Sequence, residues 1–299
     1  MKIMIKYKML TPVSHIGETA STGGYFQTIL TSDGKIPVIT GNSIRGQLRD
    51  SMAQDYLDCV NTKLSKDIFN IFFSGGNING TMKDDVMKAK SVREHFPLIS
   101  LLGGGIGDML LSGKLICSFA YPICKESYQI TNISSDVSWH NLIDEIEFTR
   151  MDDGKNDKKA VYLKNQNEEK TASATTQMRF SVQYLAAGTE FIQTIILMDG
   201  ITDLEIGALL SGFQKWFEIP KLGGMIAKGF GLFDAKATFV DTEDRFEVIN
   251  GRTEFSNKLR ELIKNYHEFI NREGTSYIDI LSTGGKNGKK VNGATADNN

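Results

Sequence analysis

The sequence has few of the residues that most often build metal centres and covalent cross-links. Three cysteines are present, Cys59, Cys117 and Cys124. Because they are odd in number and widely spaced, they form neither a disulfide framework nor a CxxC metal motif, and we predict buried, reduced thiols. No two histidines have the HxxxH spacing of paired ligands, so the sequence predicts no metal site and no cofactor. The histidines are His15, His95, His140 and His267.

Long apolar runs and an excess of positive charge are also lacking. No stretch of about 18 apolar residues occurs, so we expect no contact with a membrane and a cytoplasmic location. The chain of 299 residues has 34 basic and 36 acidic residues, for a net charge of -2. A nucleic-acid-binding protein usually has a basic surplus. Any grip on nucleic acid must therefore come from a few well-placed basic side chains and backbone amides.

Catalytic motifs are missing as well. The sequence contains no GxSxG, HExxH or P-loop motif. Asp33 and His15 are isolated candidates for acid–base chemistry, and a turn residue and a hydrogen-bonded histidine are the simpler interpretations. The glycine run 103–107 lacks the strand–loop–helix context of a dinucleotide-binding site. We therefore expect a loop that lies in the core or at a contact with another subunit. No enzyme class is indicated.

Strand-like and helical segments alternate in an α+β order. This order predicts a ferredoxin-like or RRM-like sheet with insertions, in one domain over residues 1–281. We interpret the polar segment 150–178 as a long insertion that leaves and re-enters one sheet, with a hairpin as one form of it, and the tail 282–299 as disordered. The predicted strands are 2–10, 35–40, which follows a turn at Ser32–Gly34, and 189–199. The predicted helices are 43–60, a segment from Asp203 to before Pro220, and 254–272. The helix from Asp203 has an apolar face with the helical period, formed by Ile206, Leu209, Leu210, Phe213 and Phe217.

Three segments are candidates for chemistry, and the first is GNSIRGQLR. A strand, a glycine turn and a helix start would present unpaired amides to an anion, with Asn42 or Ser43 as the helix cap. Arg45 and Arg49 lie one turn apart, as two phosphate contacts would. A capped helix with two solvated arginines is the other interpretation.

The second segment is GGMIAKGFG, where four glycines and Lys228 allow a close backbone approach by a ligand or another chain. A structural turn is the alternative. The third is the entrance to the polar insertion, where Arg150 and Met151 combine a cation with an apolar tip that could wedge between bases. An ordinary loop entrance is equally compatible with it. Asp152 and Asp153 have carboxylates that suit a divalent cation, but the sequence places no further acidic ligand beside them.

Taken together and in this order, the segments resemble the RAMP superfamily of CRISPR-associated proteins, in particular the Cas seven backbone subunits. TPVSHIG after the first strand resembles the opening motif of that family. IPVITGNSIRGQLR and GGMIAKGFG are similar to its two glycine motifs, and AAGTEFIQTIILMD to the strand before its second helix. The resemblance spans roughly residues 3–240. Within the superfamily, GNSIRGQLRD, FFSGG, FPLISLLGGG and TRMDD look most like the type IV backbone subunit.

The resemblance implies an RRM-like palm and a β-hairpin thumb, here about residues 146–182, in an antiviral effector complex. Such subunits polymerise along a guide RNA (crRNA) and present it for pairing with a target nucleic acid. The implied partners are crRNA, further copies of the chain, other CRISPR effector subunits and the target. The implied RNA-binding residues are His15, Gly41, Asn42, Ser43, Arg45, Arg49, Arg150, Met151, Gly223, Gly224 and Lys228.

One departure from the resemblance bears on catalysis. Type III relatives that cut target RNA carry an aspartate in a GG-apolar-Asp context, and here Phe26 occupies that position after Gly23, Gly24 and Tyr25. A phenyl ring neither binds a metal nor acts as a base, so we predict a non-catalytic subunit. The alternatives are a type III-like subunit with metal-dependent target-RNA cleavage, in which Asp33 or Glu18 replaces the aspartate, and a protein-interaction module that binds no nucleic acid.

Overall fold

A computed structural model describes residues 1–20, 23–78, 85–150, 178–242 and 244–281. Met151, nearly all of the polar insertion and the tail 282–299 lie outside these residues. The described residues cluster into two compact units. The sheet unit contains Met1–Leu48, Leu115–Asp199 and Phe213–Arg260, and the helix unit contains Arg49–Lys114, Gly200–Gly212 and the chain from Glu261. The single domain expected over residues 1–281 stays a prediction.

Helices and strands mix along the whole described chain, which is the predicted α+β class. The strands are β1 Lys2–Met9, β2 Ile16–Ala20, β3 Gly23–Phe26, β4 Thr28–Thr31, β5 Gly34–Pro37, β6 Gly76–Ile78, β7 Gly104–Gly107, β8 Met109–Leu111, β9 Leu115–Cys117, β10 Tyr121–Pro122, β11 Ile143–Arg150, β12 Met178–Leu185, β13 Glu190–Leu197, β14 Phe233–Phe239, β15 Arg245–Ile249 and β16 Arg252–Phe255. The helices are α1 Gly41–Val60, α2 Lys66–Ser74, α3 Val86–His95, α4 Pro97–Leu102, α5 Tyr128–Thr131, α6 Asp203–Trp216 and α7 Asn257–Glu273.

The main sheet of the sheet unit is antiparallel throughout and has β1 near its centre. Its order is β10–β13–β1–β14–β15–β16, and β9 also pairs with β13. Strand β1 alternates between exposed and buried residues, because successive side chains of a strand point to opposite faces. Its buried members are Ile3, Ile5, Tyr7 and Met9. Burying each such side chain stabilises the fold by roughly 1.5–3 kcal/mol.

Aromatic side chains fill the core beside this sheet. Phe217, which follows α6, lies with its ring centroid 5.7 Å from that of Phe233 on β14. Phe213 of α6 lies 5.4 Å from Phe246 on β15. Both belong to the apolar face that the sequence predicts for this helix, and both are fully buried. The helix face predicted from the spacing of apolar residues is therefore the face that the core buries.

A second sheet of the sheet unit contains the strands on either side of the polar insertion. Its order is β11–β12–β3–β2. Strands β11 and β12 are antiparallel, in register from Ile143 opposite Leu185 to Arg150 opposite Met178. The prediction that the insertion leaves and re-enters one sheet is confirmed.

Three predicted boundaries need correction. Helix α1 begins at Gly41, and β5 ends at Pro37 where the prediction extended the strand to residue 40. The helix predicted from residue 254 begins at Asn257, because Phe255 belongs to β16 and pairs with Phe246. The predicted turn at Ser32–Gly34 is confirmed between β4 and β5, and Gly34 has the positive φ of 115° that this turn requires.

Candidate nucleic-acid interface

The start of helix α1 is capped by Thr40, which the sequence pattern did not indicate. The Thr40 hydroxyl oxygen accepts the Ser43 amide at 3.3 Å, and the Thr40 carbonyl accepts the Ile44 amide at 3.2 Å. Thr40 is therefore the N-cap, and the predicted caps Asn42 and Ser43 lie within the first turn. Among the residues that the structure describes, no hydrogen-bond acceptor contacts the amides of Gly41 and Asn42. These two donors are the part of the helix start that remains available to an anion.

Gly41 holds this helix start against strand β9. A Cβ atom at Gly41 would lie 2.2 Å from the Cys117 carbonyl oxygen and 2.8 Å from that of Ser118, so the approach needs glycine. Asn42 is exposed, and Ser43 and Arg45 are half-buried. The Arg45 guanidinium acts on the Cys117 thiol: burial raises the pKa of Cys117 to about 12, and Arg45 opposes the rise. Arg45 therefore lies beside the helix start in the sheet unit.

His15 joins this helix start to the opening motif. Its Nε2 accepts the Thr40 amide at 3.2 Å and lies 3.2 Å from the Thr40 hydroxyl oxygen. Burial lowers the pKa of His15, so the ring is neutral at pH 7 and acts as an acceptor. His15 positions the cap and brings no charge for a phosphate. Its ring centroid lies 6.4 Å from that of Phe26, which is only 4% exposed.

The glycine-rich loop before β14 rests on the same opening motif. The Gly224 amide donates to the Ser14 carbonyl at 2.7 Å, and the Gly231 amide donates to the Pro12 carbonyl at 2.7 Å. Gly223 has a φ of 79°, and a Cβ atom there would lie 2.4 Å from the Ser14 carbonyl oxygen. A side chain at Gly223 is therefore excluded by conformation and by space.

Lys228 of this loop lies over strand β11 of the β11–β12 hairpin. It is exposed, and its Nζ lies 4.2 Å from the centroid of the Phe148 ring on β11. Phe230, buried, lies 6.4 Å from Phe148 and 6.0 Å from Tyr184 on β12. The result is a lysine held over an aromatic surface, an arrangement that suits a phosphate and a stacked base together.

The structure thus brings most of the predicted residues together around residues 12–15. His15 contacts the cap of helix α1, and Ser14 contacts Gly224. The Val13 amide donates to the Leu185 carbonyl at 2.9 Å, at the base of the hairpin. Three segments far apart in sequence meet at this short stretch. The stretch contains His15, and the segments that contact it contain Gly41, Asn42, Ser43, Arg45, Gly223, Gly224 and Lys228.

Arg49 is not part of this group, which corrects a prediction. It lies in the helix unit and is 8% exposed. Its guanidinium donates to the carbonyl oxygens of Ile71 at 3.3 Å, Leu102 at 3.1 Å and Gly103 at 2.9 Å. The guanidinium satisfies buried backbone carbonyls and thereby stabilises the core. These contacts do not support a phosphate contact by Arg49.

Arg150 lies at the edge of this group. It is the last residue of β11, seven positions from Ile143 and two from Phe148, which lies under Lys228. At about 3.3 Å per residue, Arg150 is roughly 7 Å along the strand from Phe148. Met151 lies outside the described residues. An RNA contact by either residue stays a prediction.

Two further residues of the site had no usable signal in the sequence. Gln183 on β12 accepts the Ser14 hydroxyl through its carbonyl at 3.0 Å and the Phe26 amide through its side-chain oxygen at 3.1 Å. Phe148 lies under Lys228. A lone glutamine and a lone phenylalanine in strands fit any sheet, so only the tertiary contacts identify them.

Within the described residues, no helix is long and apolar enough to cross a membrane. No curated protein matches the chain. Among solved structures, a chain named "Type IV-B CRISPR Complex" superposes with a TM-score of 0.61 at 17% sequence identity. The match covers 80% of this chain and 91% of that chain, and at this identity it shows a shared fold.

The family is established by the sequence. A profile described as "RAMPs: RAMP superfamily" matches residues 6–234, which is most of the chain and includes the opening motif and both glycine motifs. The contacts among these motifs, described above, lie within the matched region. The chain belongs to the RAMP superfamily.

Proposed function

We propose that the chain is a non-catalytic backbone subunit of a type IV-like CRISPR effector complex, which binds crRNA without reading its sequence. Membership of the RAMP superfamily and the fold shared with a chain of a type IV-B CRISPR complex support the proposal. Several copies would line one guide RNA as a helical filament, together with other effector subunits. The guide would then pair with the target.

A ferredoxin-like palm is the architecture that we infer for the sheet unit. Strands β1, β9 with β10, β13 and β14 follow one another in the chain, with α1 after the first strand and α6 after the third. Their order in the sheet is β9/β10–β13–β1–β14, and all pairs are antiparallel. A ferredoxin-like βαββαβ unit has this order, 2-3-1-4. The β11–β12 hairpin is the proposed thumb.

The contacts around residues 12–15 are the observation that carries the proposal. They bring the free amides at the start of α1, Arg45, the glycine loop and Lys228 into one unit of the protein. Amides and cations grip a sugar–phosphate backbone without reading bases. Phe148 offers a surface on which any base can stack. Such a site needs no overall positive charge, which agrees with the net charge of -2.

Catalysis by this subunit is not part of the proposal. Phe26, at the position of the aspartate in cleaving relatives, is 4% exposed and lies against His15. Asp33 lies in the exposed turn between β4 and β5, where it belongs to local hydrogen bonds with Thr31 and Ser32. The Glu18 side chain lies outside what the structure describes. The described contacts of Phe26 and Asp33 do not favour the type III-like alternative.

The first test removes the two proposed phosphate contacts. The double variant Arg45→Ala, Lys228→Ala is expected to bind fluorescently labelled single-stranded RNA more weakly. Its plot of log affinity against log salt should be less steep by about 1.4, because each phosphate contact to a single strand contributes about 0.7. Fluorescence anisotropy at several salt concentrations measures both quantities.

Lys264→Ala is the matched control, because Lys264 is an exposed lysine of helix α7 paired with Glu268. It should leave affinity and slope unchanged. A double variant with the slope of the wild type would refute the proposed phosphate contacts.

In complexes of the wild-type protein with RNA, a bound complementary RNA should stay intact with Mg²⁺ or Mn²⁺. Regularly spaced cuts in that RNA would favour the type III-like alternative.

Gly46 gives a second test, because no contact among the described residues requires a glycine there. It lies exposed in helix α1, and a Cβ atom built on it meets no atom of the described residues within 4 Å. Gly46→Ala should raise the free energy of unfolding by roughly 1 kcal/mol, the propensity difference within a helix. If RNA or a neighbouring copy approaches this turn, the same change should weaken RNA binding.

Urea unfolding and RNA anisotropy on Gly46→Ala separate the two effects. Gly229→Ala is the comparison, since Gly229 is also exposed with nothing within 4 Å, but its φ of 86° strains an alanine. If the Gly46→Ala protein is more stable than the wild type and binds RNA with the same affinity, neither RNA nor a neighbouring copy approaches this turn closely.

A further inference from the structure

Three metal-ligating side chains meet in the helix unit, and none of them was assigned to RNA binding. Asp55 and Cys59 lie on helix α1, and His267 lies on helix α7. One ligand atom from each, a carboxylate oxygen, the Cys59 Sγ and an imidazole nitrogen, all lie within 4.8 Å of one another. All three residues are partly buried, with the Asp55 side chain 14% and the His267 side chain 33% exposed.

The sequence places these ligands by helical spacing and by the packing of α7. Asp55 and Cys59 are four residues apart, so they lie on one face of α1. On α7, Ile263, Tyr266 and Ile270 are buried, and His267 lies at the edge of that buried stripe. The three ligands are thereby brought together by two rigid helices within one unit.

The distances fit coordination better than a direct ion pair. His267 Nε2 lies 3.3 Å from both carboxylate oxygens of Asp55. A charged N–H···O pair closes to about 2.7–2.9 Å. Ligand bonds of about 2.0–2.2 Å to a tetrahedral zinc ion place neighbouring nitrogen and oxygen ligands about 3.3–3.6 Å apart. The separation of Asp55 and His267 equals the edge of such a tetrahedron.

A buried hydroxyl beside the cluster gives independent support. Within the described part of the chain, the Tyr266 hydroxyl has no hydrogen-bond partner, although the residue is fully buried. The Tyr266 ring centroid lies 5.8 Å from that of His267, which places the phenol beside the cluster. A buried polar atom of this kind needs a partner, and a metal-bound water would provide one.

Ser211 completes the surroundings. Its hydroxyl oxygen lies 2.6 Å from Asp55 Oδ2 and 2.7 Å from His267 Nε2. This hydroxyl links the two side chains in a hydrogen-bonded chain. With an ion bound, His267 Nε2 would coordinate the ion in place of this hydroxyl, and Ser211 would keep its hydrogen bond to Asp55 and orient that carboxylate, as groups behind metal ligands do.

We propose that Asp55, Cys59 and His267 bind one divalent transition-metal ion of the zinc class, with a water as the fourth ligand. Oxygen, sulfur and nitrogen donors together suit a borderline-soft ion such as Zn²⁺ and disfavour Mg²⁺ and Ca²⁺. Neutral imidazole and thiolate are the coordinating forms, so binding releases the Cys59 proton to solvent. The ion fastens helix α1 to helix α7 within the helix unit. This role does not depend on RNA binding.

The test uses the full-length, tag-free chain after treatment with EDTA. Co²⁺ is expected to bind once per chain and to give absorption bands of four-coordinate cobalt with a sulfur-to-cobalt charge-transfer band. Zn²⁺ should displace it. Ser211→Ala should weaken Co²⁺ binding by about 10–100-fold, as is usual for groups that hydrogen-bond to metal ligands. Cys59→Ser removes a ligand itself and should weaken Co²⁺ binding by at least about 100-fold. Cys117→Ser and His140→Ala are matched controls and should bind like the wild type.

A second measurement needs no variant. Zn²⁺ should slow alkylation of Cys59 in the wild-type protein, read by mass spectrometry of its peptide, and should leave Cys117 and Cys124 unchanged. Unchanged Cys59 alkylation at saturating Zn²⁺, or cobalt spectra without a sulfur band, would overturn the proposal. Cobalt binding that persists at full strength in Cys59→Ser and His267→Ala would do so as well.

Discussion

Replacing Arg49 with alanine is expected to lower the free energy of unfolding by about 4 kcal/mol, the largest effect that the structure suggests. The guanidinium donates to three carbonyl oxygens, those of Ile71, Leu102 and Gly103. Without it these oxygens lose a charged donor, and each acceptor left unpaired in a buried place costs about 1–3 kcal/mol. Its Nη2 also fills the space beside Gly75, 3.5 Å from where a Cβ would be.

Urea unfolding followed by circular dichroism measures this loss. Arg49→Lys should recover only part of it, because an ammonium group lacks the planar fork that reaches several carbonyls. Arg272→Ala is the control, since Arg272 is 71% exposed in a pair with Glu273 and should change stability by less than about 0.5 kcal/mol. A small stability change in Arg49→Ala with a large loss of RNA affinity would restore the phosphate role that the contacts argue against.

Replacing Glu205 with alanine is expected to lower the free energy of unfolding by about 3 kcal/mol. Its carboxylate is buried, lies 2.8 Å from Lys114 Nζ and accepts the Thr202 amide at 2.7 Å. The Glu205 amide in turn donates to the Thr202 hydroxyl at 3.2 Å, so the pair forms a capping box at the start of α6. The change removes the cap and leaves Lys114 without its carboxylate.

The same residue predicts a pH dependence. Burial by itself raises the pKa of Glu205, but hydrogen bonds from Lys114, Ser100 and the Thr202 amide outweigh it, and the pKa is lowered overall. Because the folded-state pKa is below the unfolded one, about 4.3, the stabilisation is fully present above that pH. It is lost as the pH falls through the folded-state pKa.

Unfolding in urea at pH 7 and at pH 3 checks this sign. Glu205→Gln should be less stable than the wild type at pH 7, and the difference should shrink at pH 3. Glu268→Ala is the control, because Glu268 is 63% exposed in a surface pair with Lys264. A difference between wild type and Glu205→Gln that grows as the pH falls would contradict the assignment.

Regular patterns allowed most of the fold to be predicted. The alternation of β1 and the apolar face of α6 are local properties of the sequence, and the structure buries the residues that they indicate. The pairing of β11 with β12 followed from strand character on both sides of a polar segment. Boundaries were less accurate, because a cap such as Thr40 is defined by a hydrogen bond to one amide.

Arg49 shows where a local pattern misleads. Its spacing from Arg45 suggested two cations on one exposed face of α1. From residue 48 onward, however, the buried part of the helix widens to include Met52, Ala53 and Tyr56. Arg49 lies four residues before Ala53 and seven before Tyr56, so it turns with them into the core. The burial of this side of the helix depends on what packs against it.

The proposed metal ligands were missed for a related reason. His267 is 212 residues from Asp55, and no spacing rule connects ligands on two separate helices. The sequence by itself determined the α+β class, the family motifs and the amphipathic faces, because these depend on the order and period of neighbouring residues. Only the tertiary structure decided that residues 12–15 join the glycine motifs, that Arg49 is buried, and that Asp55, Cys59 and His267 meet, because such contacts depend on how distant segments pack.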